Sequence, residues 1–377
     1  MEILFWISAV LIFLAYPGYV LFLCLMSRIC SRPVNKKDYQ PRVSLIIAAY
    51  NEEADIRERI ENVLALDYPA GLIQIIVASD CSTDNTDNIV REYQNRGVIL
   101  NRLEKRGGKT ANQNATLAVA DGEIIFFTDA GTYYAPDVIQ KVVRNFNDPA
   151  VGCVGGTMHF VRDKTEQLVT EKKYYTSFDQ KLKIYESRIY SIIGVNGPLY
   201  AVRRKYCRPL PENLTSDMIS PLDVIRQDRR VIYEPEALSL EKIAPSSGSE
   251  FRRKVRTVRS GMSAVFAMRA LLNPFKYFWP AIFLMGHKIL RWLFFIFMAG
   301  LFIGNAFMAD RAGFYQIVFI FQLIFYGLAL IGVVTRKIKS LKPFTIPYYF
   351  CLYNLAAAAG FFKFLFGEKT EIWEVER

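Results

Sequence analysis

The sequence predicts an α/β domain on a parallel sheet, tethered by membrane-spanning helices on both sides. Three observations carry this prediction. Apolar runs alternate with helical patterns between residues 43 and 146, as strand–helix–strand units do. Long charge-free stretches flank that region. The 377-residue chain is 52% hydrophobic and only 22% charged, with a mean hydropathy of +0.14 and a net charge of +11.

The first element is residues 3–26, 24 residues without a charge. At 1.5 Å per residue they outspan a bilayer core of about 30 Å. A cleaved signal peptide is the alternative, but the chain opens Met1-Glu2 with no basic leader. Pro17-Gly18 predicts a kink. Residues 292–309 and 314–335 are further charge-free runs. Residues 344–362 form a fourth, interrupted by Pro347, Asn354 and Gly360. It reads as a full span or as a broken, re-entrant helix. Arg28, Arg32, Lys36 and Lys37 follow the first run, and Arg336, Lys337, Lys339 and Lys342 follow the third. The positive-inside rule then puts the N-terminus outside and the large polar segment in the cytosol. Charge counting favours a full fourth crossing, whereas a tail carrying Trp373 and Arg377 suits packing against the cytosolic face.

Between residues 250 and 292, basic residues such as Arg252, Lys254, Arg259 and Arg269 alternate with Phe251, Val255, Val258 and Phe266. This pattern suits amphipathic helices on an anionic leaflet. Membrane lipid therefore accounts for the basic surplus, with no nucleic-acid partner. The predicted organisation is an N-terminal transmembrane helix (1–28), a cytosolic domain (38–250), interfacial helices (251–291), transmembrane helices (292–367) and a tail (368–377).

Within the polar domain, residues 43–49 (VSLIIAA) end in Tyr50-Asn51-Glu52-Glu53, and a helix follows through Ile56, Ile60, Val63 and Leu64. Residues 73–78 (IQIIVA) end in Ser79-Asp80, with a helix over 84–93. A short strand at 98–101, a helix at 111–120, a strand at 124–128 ending in Asp129, and a helix at 136–146 complete the series. Ligands on such sheets bind beyond the strand carboxyl ends. Asn51, Glu52, Asp80 and Asp129 all fall there. Each is a weak signal alone, since Asp80 with Ser82, Thr83 and Asp84 also reads as a capped turn. Arg106-Gly107-Gly108-Lys109-Thr110 lacks P-loop spacing, yet a glycine-flanked Lys before a helix suits an anion. Six cysteines without a CxxC pair argue against a disulfide scaffold or zinc site. His159 and His287 are the only histidines, which argues against a His-based metal site or triad. An aromatic fraction of 14% excludes disorder.

Taken in order, AAYNEE, SDCSTDNT, RGGKTANQNA and FTDAGT, followed by PAVGCVGG, VNGPLYAVRR, LTSDMISPL and FRRKVRT, resemble glycosyltransferase family 2. The flanking helices look like those of its membrane-embedded hyaluronan, cellulose and poly-N-acetylglucosamine synthases. The resemblance implies a cytosolic α/β GT-A (Rossmann-like) domain with N- and C-terminal transmembrane helices and interfacial amphipathic helices. It implies an inverting transfer from a UDP-sugar to a lipid-linked or growing saccharide acceptor, in cell-surface or extracellular polysaccharide synthesis at the plasma (inner) membrane. A homo-oligomer or a secretion partner also fits.

Under the resemblance, Tyr50 and Glu52 would flank the base, and Asp80 would accept the uracil imide N–H. Lys109 would offset phosphate charge. Asp129 would hold Mg²⁺ or Mn²⁺ against the diphosphate. Asp217 would deprotonate the acceptor hydroxyl, and Arg256, with Arg253 one turn before it, would contact the pyrophosphate. Three departures stand out. Gly131 replaces the second DxD carboxylate, Ser216 replaces the Glu of the TED-like motif, and the QxxRW motif has Arg253 and Thr257 for its Gln and Trp. Two alternatives stay open: single-sugar transfer to a lipid carrier, and a catalytically silent subunit that binds nucleotide sugar. Ser216-Asp217 also reads as a helix cap, and Lys172-Lys173-Tyr174-Tyr175 as an acceptor contact or a solvated helix.

Overall fold

A computed structural model describes residues 1–161, 170–242, 247–311, 313–334 and 342–367. They form two compact units. One comprises Leu23–Pro245 with Ala264–Phe283, and the other Met1–Phe22, Ser246–Ser263 and Leu284–Glu368.

The first unit is built on eight strands: β1 (Val43–Ala49), β2 (Ile73–Ser79), β3 (Val98–Arg102), β4 (Ile124–Asp129), β5 (Thr132–Tyr134), β6 (Val151–Val161), β7 (Tyr200–Arg203) and β8 (Arg230–Lys242). Their order across the sheet is β3-β2-β1-β4-β7-β6-β8-β5. β3, β2, β1 and β4 run parallel. Every residue of β1 is buried, which is why it reads as an unbroken apolar run. The helices Ile56–Leu64, Thr86–Glu92, Lys109–Thr116 and Val138–Val143 lie within or beside the segments expected for them.

The expectation of a parallel sheet holds only for this half. β7 joins β4 antiparallel, β6 joins β7 antiparallel, β8 runs parallel to β6, and β5 pairs antiparallel with β8. Helices still separate the later strands from one another, but only two residues separate β4 from β5. A parallel return needs a crossover of a dozen residues or more. The core runs through both halves and includes Leu45, Ile47, Phe126, Ile139, Val154 and Ile232.

The buried Glu234 carboxylate gathers three partners: Lys36 Nζ at 2.7 Å, Asn145 Nδ2 at 2.9 Å and the Arg144 guanidinium at 3.2 Å. It pins the segment after the first helix to the sheet.

Among the described residues, two helices are long and apolar enough to cross a membrane, Glu2–Ile29 and Phe314–Val333. The expected kink at Pro17 is absorbed by a wider turn, Leu14–Gly18. An added residue in the turn gives the proline ring room and accommodates its missing N–H. The run 292–309 differs from expectation. Its helix, Phe294–Ala306, has 13 residues, about 20 Å long. It passes as a span only together with Phe278–Trp292, across a 58° bend. That pairing draws in residues the charge pattern put at the interface.

The run 344–362 lies inside one continuous helix, Lys342–Leu365. Its three expected interruptions are accommodated. Asn354 donates back to the Phe350 carbonyl at 2.8 Å. Gly360 lets the helix approach Val258, where a Cβ would come within 2.8 Å of the Val255 carbonyl. Pro347 sits near the start of the helix. In the same unit Gly300 and Gly304 let a helix close on Ser8 and Phe5, the small-residue packing of membrane bundles. Residues 336–341 and the tail with Trp373 and Arg377 lie outside the described residues.

Burial pushes the Glu234 carboxyl up, but Lys36, Asn145 and Arg144 more than offset this and hold it below its ordinary value. Its contribution is therefore present above the unfolded carboxyl pKa of about 4.3 and lost as pH falls through the lower folded value. Glu234→Gln should cost about 1–3 kcal/mol at neutral pH and reduce the drop in Tm on acidification. Melting curves at pH 7 and pH 4 check both effects.

Candidate active site

The site is assembled at the carboxyl ends of β1, β2 and β4. Beyond β1 the chain turns through Asn51 at φ 52°, and beyond β2 through Cys81 at φ 60°. Non-glycine residues seldom adopt such backbone, and it gathers at functional sites. The two turns are laced together. Asn51 Oδ1 accepts from the Thr83 amide at 2.8 Å, the Asn51 amide donates to Ser82 Oγ at 3.2 Å, and the Glu52 amide donates to Thr86 Oγ1 at 2.8 Å. Glu52 is buried and Tyr50 half-buried.

The segment Arg106–Lys109 bridges these turns to β4. Asp80 is buried, and its two carboxylate oxygens accept the Gly107 amide at 2.8 Å and the Gly108 amide at 2.9 Å. Gly108 sits at φ 85°, ψ 170°, and a Cβ on Gly107 would meet that of Ala111 at 2.8 Å. Only glycine takes both places without strain. So held, the segment lays the Arg106 guanidinium over the Tyr50 ring, 3.9 Å from its centroid. It also brings Lys109 Nζ into an ion pair with Asp129 Oδ1.

The other side of the site comes from the loop before β7 and the helix Ser216–Arg226. Asp217 lies in the first turn of that helix, where the dipole favours a carboxylate. Its carbonyl accepts the Val195 amide at 3.1 Å. A Cβ on Gly197 would lie 3.3 Å from both Asp217 Oδ2 and Lys109 Nζ. The two charged atoms are thus at most twice that distance apart, and both lie against this glycine. Nearby, Tyr200 is stacked on Phe127 at 4.9 Å. Burial holds its phenol well above the ordinary value, the neighbouring Ser216 hydroxyl opposes this, and the Asp217 charge adds to it.

Tyr50, Glu52, Asp80, Lys109, Asp129 and Asp217 therefore meet in one unit. Arg253 and Arg256 lie on the helix Ser247–Ala267, in a part assigned to the other unit. Arg253 donates to Glu250 Oε1 at 2.8 Å. As a metal holder, Asp129 offers one carboxylate. Gly131 has open space around it, and no group of three His, Cys, Asp or Glu residues among those described could enclose an ion. This donor set fits a hard divalent cation only if the substrate diphosphate and water supply the remaining ligands.

Sequence reasoning missed Arg59. It is fully buried on the apolar face of the helix Ile56–Leu64. Its signal was an arginine on the stripe formed by Ile56, Ile60 and Val63. Arg106 and Gly197 were also read only as parts of longer motifs.

Residues 44–209 match the family model described as Glycosyl transferase family 2, and the chain carries a domain of that family. Hyaluronan synthase of Streptococcus pyogenes is 28% identical over 211 residues, covering 53% of this chain and 49% of that protein. Beta-monoglucosyldiacylglycerol synthase of Nostoc sp. is 36% identical over 118 residues, covering 30% of this chain and 25% of that protein. The chain thus spans half or less of the length of these curated relatives. The fold is GT-A. It superposes on a mannosyltransferase from Pyrobaculum calidifontis, solved with GDP-Man and Mn²⁺, with a TM-score of 0.73 at 22% identity. That match covers 97% of this chain and 100% of that one.

Gly197→Ala should leave Tm nearly unchanged, because the added methyl meets only side-chain ends. It should lower sugar-transfer turnover by about tenfold or more, since small misplacements between reacting groups are expensive. A melting curve beside a turnover assay tests the pair of outcomes.

Proposed function

We propose that the protein is an inverting, membrane-embedded glycosyltransferase. It takes a sugar from a cytosolic UDP-sugar and passes it to a lipid-linked or growing saccharide acceptor in cell-surface or extracellular polysaccharide synthesis. The observation that supports this reading is the meeting of Asp217 and Lys109 at Gly197, with Lys109 paired to Asp129.

In this mechanism the acceptor hydroxyl oxygen attacks the anomeric carbon in line with the departing diphosphate. Its proton passes to the Asp217 carboxylate, the bond from the anomeric carbon to the diphosphate oxygen breaks, and an α-linked donor becomes a β-glycoside. Lys109 meets the charge that develops on the leaving diphosphate. Asp129, already engaged by Lys109, is poorly suited to act as the nucleophile a retaining route requires. Asp80 keeps lone pairs for a uracil imide N–H even with two amides bound. Tyr50 and Glu52 line the base side, and Arg256 and Arg253 are assigned to the pyrophosphate. Mg²⁺ or Mn²⁺ on Asp129 would supply Lewis-acid stabilisation of the diphosphate.

The same reading divides the chain into a membrane helix (1–28), a catalytic domain (38–250), interfacial helices (251–291), membrane helices (292–367) and a tail. It places the catalytic domain on the cytosolic side of the plasma (inner) membrane. A second reading, transfer of one sugar to a lipid carrier, is favoured by Thr257. Its hydroxyl folds back onto the Arg253 carbonyl at 2.8 Å, where processive relatives carry a tryptophan.

UDP release by the purified protein with a panel of nucleotide sugars tests the reading directly. Asp217→Asn should lower transfer by about 10²–10⁴-fold while UDP binding stays nearly intact. Wild-type turnover in this variant would falsify the base assignment. Asp129→Ala should remove the metal-dependent part of UDP-sugar affinity, so titrations with and without EDTA should coincide in the variant and differ in the wild type.

A further inference from the structure

Among the described residues, Arg59 heads the large side chains that are fully buried. Its hydrogen bonds run to two neutral oxygens, Asn62 Oδ1 at 2.7 Å and Thr128 Oγ1 at 2.9 Å. The guanidinium stands over the Tyr134 ring, 4.2 Å from its centroid. Burial lowers its pKa, while Tyr134 and Asp129 act in the opposite sense. Asp129 is therefore a carboxylate whose charge reaches this cation, although among the described residues none bonds to it directly. Thr128 immediately precedes Asp129, and the Tyr134 hydroxyl donates to the Pro198 carbonyl at 2.9 Å, next to Gly197. The cation is thus fastened to both halves of the site.

We propose that Arg59 is a positioning residue of the donor site whose buried positive charge attracts the donor diphosphate from beneath Asp129. The inference rests on the glycosyltransferase reading above. A guanidinium stays charged even when desolvated, and little water screens it there. Among the described residues no carboxylate pairs with it directly, and Lys109 already pairs with Asp129. With glycine at position 131 in place of a second acid, Arg59 adds a positive charge beside the Lys109–Asp129 pair. That charge suits a diphosphate with or without a metal ion. A purely structural arginine would be expected to face a carboxylate of its own, because isolated buried charges are costly.

The test is metal-free binding of UDP and of uridine, in EDTA, to the full-length protein. Arg59→Gln should weaken UDP about tenfold and leave uridine within twofold. Arg59→Lys, which keeps the charge, should retain UDP within about threefold. Equal weakening of both ligands by Arg59→Gln, or no weakening of either, overturns the inference. If Arg59→Gln lacks a cooperative melt, Arg59→Lys decides alone. A preserved UDP-to-uridine ratio supports the charge role, and a lost ratio overturns it. Should the wild type bind neither UDP nor any other nucleoside diphosphate, the glycosyltransferase reading fails before the variants are compared.

Discussion

The site depends on the two amide hydrogen bonds that Asp80 accepts from Gly107 and Gly108. Charge-assisted bonds of this kind are about twice as strong as neutral ones, and here they are buried. They fix a segment whose conformation only glycine accepts, and everything on either side of it follows. Arg106 is set on Tyr50, and Lys109 is delivered to Asp129 at the start of its helix. One carboxylate therefore organises the base side and the phosphate side together. Loss of Asp80 would loosen both, so the proposed role of Asp80 as a base reader cannot be separated from its role as a clamp.

Charge in the site is arranged unusually for a metal-assisted transfer. Gly131 removes one acid, Lys109 pairs with the remaining one, and Arg59 adds a cation from below. Asp217, in the first turn of a helix, stands together with Lys109 against Gly197. A glycine there leaves room beside the carboxylate and the cation. Under the proposed mechanism the cations would favour an anionic leaving group and Asp217 would serve as the base.

The helical unit solves a different problem. Residues that break helices in water are accommodated here by local devices: a wide turn at Pro17, a side chain returned to its own helix at Asn354, and close packing at Gly360. In lipid every backbone group needs an internal partner, so a helix that bends or widens is preferable to one that opens. Gly261, against which the Trp292 ring rests, shows the same preference for small residues at contacts between helices.

Much of this was legible in the sequence. The strands from residue 43 to 129, their helices and the residues at their carboxyl ends follow from apolar periodicity and turn chemistry, which act over a few neighbours. The ordered motifs likewise located Asp80, Lys109, Asp129 and Asp217. The mixed half of the sheet was not legible, because strand direction there depends on which distant strands pair. Nor were the partners of the site residues. Asp80 reaches 27 residues along the chain to Gly107, and Arg59 reaches 69 to Thr128. Strand order and register bring such pairs together, and local pattern carries no record of either. The sequence by itself determined which chemical groups stand at the strand ends. The tertiary structure alone decided which of them touch, because hydrogen bonds and ion pairs form only where the packed sheet sets two side chains within reach.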